Sequence, residues 1–375
     1  MNITSHPPLA FQTHPQIRDQ FAQMRRSAHA RHRDIALKLN ITEGELIAAH
    51  VMDSGSADEG TEPLLKVRRL RAAWPDIITA LECVGEVMAL TRNGACVHEK
   101  VGIYNNSSHM GAHGNMGMVL GGAIDLRIFY NHWAHGFAVF EATEKGPQRS
   151  LQFFDAAGGA VHKVFLRPAS NLVAWEDLIA AFVADDQVTG MSVAAQAEPA
   201  AELSDSGIDV PALRESWASM RDTHEFFGVL KKHKVSRLQA LRLADPQFVQ
   251  RVDADAVHLT LTAAAREAVP IMVFVGNPGM IQIHSGVVKR VAVMGPWLNV
   301  LDDGFNLHLR DDHISSAWVV FKPTSDGLVT SLELFDARGD TIAMFFGERK
   351  PGRPELELWR ALIANVLTEA TPCAA

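Results

Sequence analysis

The sequence predicts an α+β protein made of two tandem copies of one unit: helices first, then antiparallel strands, then a closing helix. Three observations carry this. Ser150–Gly158 (SLQFFDAAG) matches Ser331–Gly339 (SLELFDARG) at an offset of 181 residues, and the same offset pairs Leu126 with Leu307, His132 with His313 and Phe140 with Phe321 without a gap. Upstream, Thr42 and Glu45 correspond to Ser236 and Gln239 at an offset of 194. The texture of the chain also changes in the same order twice, as an internal duplication requires.

Taken in order, residues to about Val51 have a helical pattern, and Thr42-Glu43-Gly44-Glu45 has the form of a capping box. A helix is expected around Trp74 to Leu81. From Val84 to about Arg167, short apolar runs alternate with Gly and Asn, which reads as antiparallel strands and turns. Ala174 to Val183 closes the unit as a helix. Val193 to Glu202, rich in small and acidic residues, reads as a linker. The expected division is residues 1–192, a linker at 193–208, and a second repeat at 209–375. That repeat opens with a helix starting near Asp209, with Pro211 in its first turn, and running on through Phe227. On such a helix Leu213, Trp217, Met220, His224 and Phe227 share one face, apolar except for His224.

Composition narrows the function. A net charge of −8 and a pI near 6.1 argue against general nucleic-acid binding, which needs a basic face. No apolar run reaches the roughly 20 residues of a membrane helix, and no secretory signal is visible at the start. The three cysteines, Cys83, Cys96 and Cys373, form no CxxC pair, so a reducing cytoplasm is the expected compartment. There is no G-x-S-x-G and no HExxH, so hydrolytic chemistry lacks support.

Differences between the repeats single out site residues. His224 corresponds to Ala30, Arg237 to Glu43, Arg127 to His308 and Lys322 to Glu141. A lone histidine in an apolar stripe is compatible with a core residue. As a ligand it suits a flat apolar metal complex better than bare zinc, which takes three or four protein ligands. Haem needs one axial histidine, an apolar slot and cations for its propionates, for which Arg237, Lys322 and Arg349 are candidates. A rival metal site drawn from His98, His109, His113, His132 and His135 lacks a completing carboxylate or cysteine. The glycine-rich Gly111 to Gly122 lacks the Lys-Ser/Thr of a phosphate loop.

The motifs MRDTHEFF (220–227), FVGN (274–277), WLNV (297–300), FNLHL (305–309), KPTSDG (322–327) and TSLELF (330–335) resemble those of the hemin-degrading factor (HemS/ChuS/HmuS) family, the cytoplasmic haem-utilisation proteins of Gram-negative bacteria. TRN (91–93), VHE (97–99), IDLR (124–127) and HWA (132–134) fit it in the first half, so the resemblance spans about residues 30 to 365. It implies two tandem structural repeats, each a large antiparallel β-sheet with flanking helices, and haem in a cleft to which both halves contribute. It implies His224 as the proximal iron ligand and Arg127 as an arginine reaching the haem from the first half. Arg237, Lys322 and Arg349 become polar and propionate contacts, and Phe274 an apolar wall. Phe346 and Met344 depart from the family pattern, standing where a tyrosine and a glutamine are commoner. The implied activity is haem binding after import and oxidative opening of the porphyrin with iron release, haem being both cofactor and substrate. A reductant is then required, and no catalytic acid or base is identified. The alternative is a haem chaperone that receives its cargo from an importer and delivers it to a separate oxygenase. A duplicated domain without a ligand would leave the asymmetries unexplained.

Overall fold

The computed structural model describes residues 12–28, 30–51, 63–110, 115–196, 202–349 and 352–370. In the first repeat these form α1 (His14–Ala28), α2 (His32–Leu39), α3 (Glu43–Ala48), β1 (Leu65–Leu70), α4 (Trp74–Val84), β2 (Val87–Arg92), β3 (Cys96–Gly102), β4 (Ser107–Met110), β5 (Met116–Leu120), β6 (Asp125–Phe129), β7 (His135–Thr143), β8 (Gly146–Phe154), β9 (Ala160–Leu166) and α5 (Leu172–Phe182). The second repeat gives α6 (Val210–Ala218), α7 (Glu225–His233), α8 (Arg237–Leu243), β10 (Val249–Val252), α9 (Ala256–Glu267), β11 (Ile271–Asn277), β12 (Met280–Gly286), β13 (Val291–Met294), β14 (Trp297–Asp302), β15 (Phe305–Arg310), β16 (Ser316–Thr324), β17 (Gly327–Phe335), β18 (Thr341–Gly347) and α10 (Glu357–Glu369). His113 and part of the glycine-rich stretch lie outside the described residues, as do Cys373 and residues 197–201 of the expected linker.

The capping box at Thr42 is present. The Thr42 hydroxyl accepts the Glu45 N–H at 3.2 Å and the Glu45 carboxylate accepts the Thr42 N–H at 2.8 Å. At the equivalent start of α8, the Ser236 hydroxyl accepts the Gln239 N–H at 3.0 Å, so the upstream sequence match reflects the same local structure. Pro75 sits in the first turn of α4, whose Ile77, Ile78, Leu81 and Val84 are buried along one face.

The strands form two nine-stranded antiparallel sheets, in the orders β1-β7-β8-β9-β2-β3-β15-β14-β13 and β10-β16-β17-β18-β11-β12-β6-β5-β4. Each repeat therefore supplies six strands to one sheet and lends three to the other. The joins are β3 with β15 and β12 with β6, so the boundary between sequence repeats is not a boundary between sheets. Helices cover both faces. On sheet one, α4 and α5 pack on one face and α1 to α3 on the other. On sheet two the same places are taken by α9 with α10 and by α6 to α8.

Two asparagines in equivalent places lock the exchange. Asn93, just after β2, donates to the carbonyls of Gly276 (3.1 Å) and Ile342 (2.8 Å). Asn277, at the end of β11, donates to those of Arg92 (3.0 Å) and Val161 (2.8 Å). Nearby, Gln282 and His98 meet at 2.8 Å, and Thr91 joins Gln282 to His162, whose other ring nitrogen meets the Tyr104 hydroxyl at 2.6 Å. Lys100 reaches the His284 ring at 2.7 Å. Burial holds His162 and His284 down at about 3, Lys100 adding to the effect on His284, and holds His50 down at about 4.

Replacing Asn93 or Asn277 by alanine leaves two buried carbonyls without their donor. The expected loss is about 1–3 kcal/mol in chemical denaturation, with both sheets still unfolding in one transition. Separate transitions would show that the exchanged strands do not couple them. A second expectation concerns acid. The unfolded chain protonates its histidines near 6.5 while the buried rings stay neutral, so unfolding takes up protons. Stability is complete above that value and falls as pH drops toward about 3, each buried ring contributing up to about 1.4 kcal/mol per pH unit. Urea midpoints at pH 7.5 and 5.5 should differ accordingly, and His162→Gln should flatten the slope.

Candidate functional site

The long helix expected from Asp209 to Phe227 is broken. Its start is as read, the Asp209 side chain accepting the Ala212 N–H at 3.1 Å, but α6 stops at Ala218 and α7 begins only at Glu225. Side chains in the intervening turn compete for backbone groups that a helix would use. Asp222 accepts the His224 backbone N–H at 2.8 Å, and Glu225 accepts that of Arg221 at 3.1 Å. The Arg221 carbonyl accepts the Ser325 N–H at 2.8 Å, tying the turn to the β16–β17 hairpin. As a result Leu213, Trp217 and Met220 are buried, joined by Phe226, whereas Phe227 is 74% exposed. His224 is not part of an apolar stripe. Its side chain is 88% exposed at the head of α7, with Nδ1 bonded to Asp222 at 2.6 Å.

Beside α6 to α8, the same face of sheet two stays partly uncovered. Paired residues on antiparallel strands share a face. Following the register from Lys322 on β16 leads through Ser331 and Glu333 on β17, Met344 and Phe346 on β18, Met272 and Phe274 on β11, and Ile281 on β12. It then crosses to Arg127 on β6 and Met118 on β5, both lent by the first repeat. Leu126 and Ile128 are buried on the opposite side of β6, as strand alternation demands. The floor is apolar and half-buried. Phe274 and Phe346 meet edge to face, with ring centroids 5.1 Å apart.

One edge of this floor is a buried ion triplet. Glu333, 0% exposed, accepts from Arg237 at 2.8 Å and from Lys322 at 2.5 Å. Burial alone would raise the Glu333 carboxyl, but Arg237 and Lys322 override it and hold the group down at about 2. Burial lowers Lys322, against the pull of Glu333. Both cations also lie over the Phe226 ring, at 5.0 and 4.8 Å. The triplet carries one net positive charge. Lys322 is 3% exposed and committed to Glu333, so its charge acts across a short buried distance, while Arg237 is the member that reaches solvent.

Arg349, just after β18, lies 3.8 Å from Asp326, and its buried Nε has no partner. Arg127 pairs with Asp125 on its own strand and donates to the Leu126 carbonyl at 3.1 Å. Together these residues can hold a flat apolar molecule with carboxylate groups: a wall of aromatic and methionine side chains, a positive edge, and an unpaired guanidinium N–H. They fit haem, with His224 Nε2 as the free ring nitrogen. The histidine strip assembles no metal site among the described residues. His98 instead enters the interior network, and His109 meets Thr79 at 3.1 Å.

The sequence reading did not single out Glu333, Asp222 or Asp125. Glu333 carried a signal, since its counterpart at the offset of 181 is Gln152, a loss of charge at a buried place. Asp222 carried none while His224 was read as mid-helix.

Glu333→Ala should destabilise the protein by about 3–5 kcal/mol in chemical denaturation, because it strands Lys322 as a buried unpaired charge. Lys322→Met should cost less, since Arg237 still pairs with the carboxylate. Equal losses would mean that Arg237 does not support Glu333.

Comparison with known proteins gives a family match. The model of the haemin-degrading HemS/ChuX domain fits residues 40–182 and 234–366, one segment in each repeat. The hemin transport protein HmuS of Yersinia pestis is 37% identical over 342 residues, covering 90% of this chain and 93% of that protein. Holo-PhuS, a heme-binding protein from Pseudomonas aeruginosa, superposes with a TM-score of 0.87 at 43% identity, covering 94% of this chain and 98% of that one. ChuS, described as an Escherichia coli heme oxygenase, gives 0.80 at 37% identity, covering 94% and 99%. With both repeats matched and nearly its whole length aligned, the chain belongs to the haemin-degrading HemS/ChuX-domain family.

Proposed function

We propose that this protein binds a single haem on the front face of sheet two and opens the porphyrin oxidatively, releasing iron, in the cytoplasm after haem import. The observation that carries the reading is the half-buried aromatic floor with Arg237 paired to Glu333 at its edge, together with the unpaired Nε of Arg349 just after β18. In this reading His224 Nε2 ligates the iron, and Phe274 with Phe346 packs on the ring. Arg237 and Arg349 take the propionates, and Lys322 keeps that edge positive from below. Arg127, lent by the first repeat, would supply a guanidinium donor to the bound haem. Bound haem supplies the redox chemistry, and O2 with electrons from an external reductant completes it. The residues bind, orient and exclude water, and none of them is assigned as an acid or base.

A single site is supported by the exchange of residue types between repeats: Arg237 and Lys322 at sheet two stand where sheet one has Glu43 and Glu141. Glu43 is clamped by Arg92 and Lys163. Glu141 there is held by Arg25 at 2.5 Å and His32 at 3.2 Å. Ala30 stands where the ligand histidine would be.

Delivery of intact haem to a separate oxygenase is the second reading. It is favoured by the exposure of His224 and Phe227, which leaves the ligand open to an approaching partner. Anaerobic loading with haem, followed by O2 and ascorbate, separates the two. Loss of the Soret band with iron released in equal amount supports degradation, whereas a stable band with transfer to an added oxygenase supports delivery.

Soret titration of the whole chain should saturate at a single equivalent, and saturation at two would overturn the assignment to sheet two. Arg127→Ala should alter the spectra of the CO and cyanide complexes and the autoxidation rate while axial ligation persists. Unchanged spectra and rate would reduce β6 to scaffold.

A further inference from the structure

The Asp222 carboxylate contacts His224 twice. Its Oδ1 accepts the backbone N–H at 2.8 Å and faces the ring Nδ1 at 2.6 Å. The two bonds close a small ring around the residue and commit Nδ1 as the protonated nitrogen, so Nε2 is the one ring atom left to bind a metal. The turn bearing this pair is fixed from both sides, by the Glu225 bond to Arg221 N–H and by the Ser325 bond to the Arg221 carbonyl. Arg349 is near enough for its charge to act on Asp222. A residue needed only to break the helix would have to bond the backbone N–H, and an asparagine or serine would serve as well. The second contact, from a charged oxygen to the ring, goes beyond that need.

We infer that Asp222 is a positioning residue for the iron ligand, fixing the His224 tautomer and lending the imidazole anionic character through the Nδ1 hydrogen bond. The inference rests on the reading of His224 as the haem ligand. A carboxylate accepting from the far nitrogen raises the basicity of the ligating one. It strengthens the iron–nitrogen bond and favours the ferric state. This would suit a protein that must hold haem firmly at an exposed site and present an electron-rich ligand to oxygen chemistry.

The test compares haem-loaded wild type, Asp222→Asn and His224→Ala. Asparagine keeps an acceptor for the backbone N–H, and so keeps the turn, but removes the charge. Asp222→Asn should retain a single haem. Its iron–histidine stretch in the ferrous resonance Raman spectrum should move to lower frequency and its reduction potential to a more positive value. Haem transfer to excess apomyoglobin should be about 10-fold faster. Asp222→Glu should recover part of each change. An unchanged stretch and potential in Asp222→Asn, with ligation lost in His224→Ala, would overturn the role of Asp222 alone. A wild-type stretch in His224→Ala would overturn the assignment of the ligand itself.

Discussion

The exchange of strands, clamped by Asn93 and Asn277, is the constraint on which the rest of this molecule depends. Each asparagine bonds two carbonyls belonging to the other repeat, and the four acceptors lie on or beside β2, β9, β11 and β18. A buried carbonyl needs a donor wherever strand pairing stops, and here the donor is supplied by the opposite repeat. Neither sheet is complete without the other repeat. Duplication of a gene segment ordinarily yields two domains joined by a linker. In this chain it yields one interlocked body, in which β4 to β6 extend the sheet that carries the site. Arg127 can share a sheet face with Phe274 and Glu333 only because its strand has crossed over.

Within that frame the two front faces have diverged in where their charges sit. Both bury carboxylates against cations, so both meet the requirement that a buried charge be paired. On sheet one Glu43 takes Arg92 and Lys163, and Glu141 takes Arg25 and His32. On sheet two Glu333 sits between Arg237 and Lys322, beside a half-buried aromatic floor. Arg237 stands where sheet one has Glu43, and Lys322 where it has Glu141. The substitutions Phe346 and Met344 deepen the apolar character of the floor, with Arg127 as the polar group on its far side.

Much of this was legible in the sequence. The offset of 181 residues matched strand to strand across β6 to β9 and β15 to β18, and the caps at Thr42 and Ser236 matched across helices. The charge asymmetries at Arg237, Lys322 and Arg127 pointed to residues that the register places on one face of sheet two. What failed was local and topological. Helical spacing from Leu213 to Phe227 is present in the sequence although the turn buries Phe226 and exposes His224 and Phe227, so periodicity could not reveal that Asp222 and Glu225 break the helix. Register carries no mark of which copy of a strand it pairs with, because the copies resemble one another, so the crossing of β6 and β15 was invisible. Ion triplets such as that of Glu333 are properties of a fold, and only the loss of charge at Gln152 hinted at one.

The placement of the histidine proposed as ligand then takes on a physical sense. Arg237, Lys322 and Phe274 sit on helices and strands, whereas His224 stands on a six-residue turn held by the Arg221 bonds to Glu225 and Ser325. A ligand on a rigid floor would bind haem tightly and release it slowly. A ligand on a turn can follow the iron as the ring seats and can yield when the product leaves, at the cost of a weaker, less directed bond. The Asp222 contact opposes that cost, because it orients the ring within the turn without anchoring the turn to the core. In the proposed reading affinity is thus divided between a preorganised apolar and cationic surface and a ligand on a tethered turn, oriented by Asp222, a division that suits a protein whose haem must both arrive and depart.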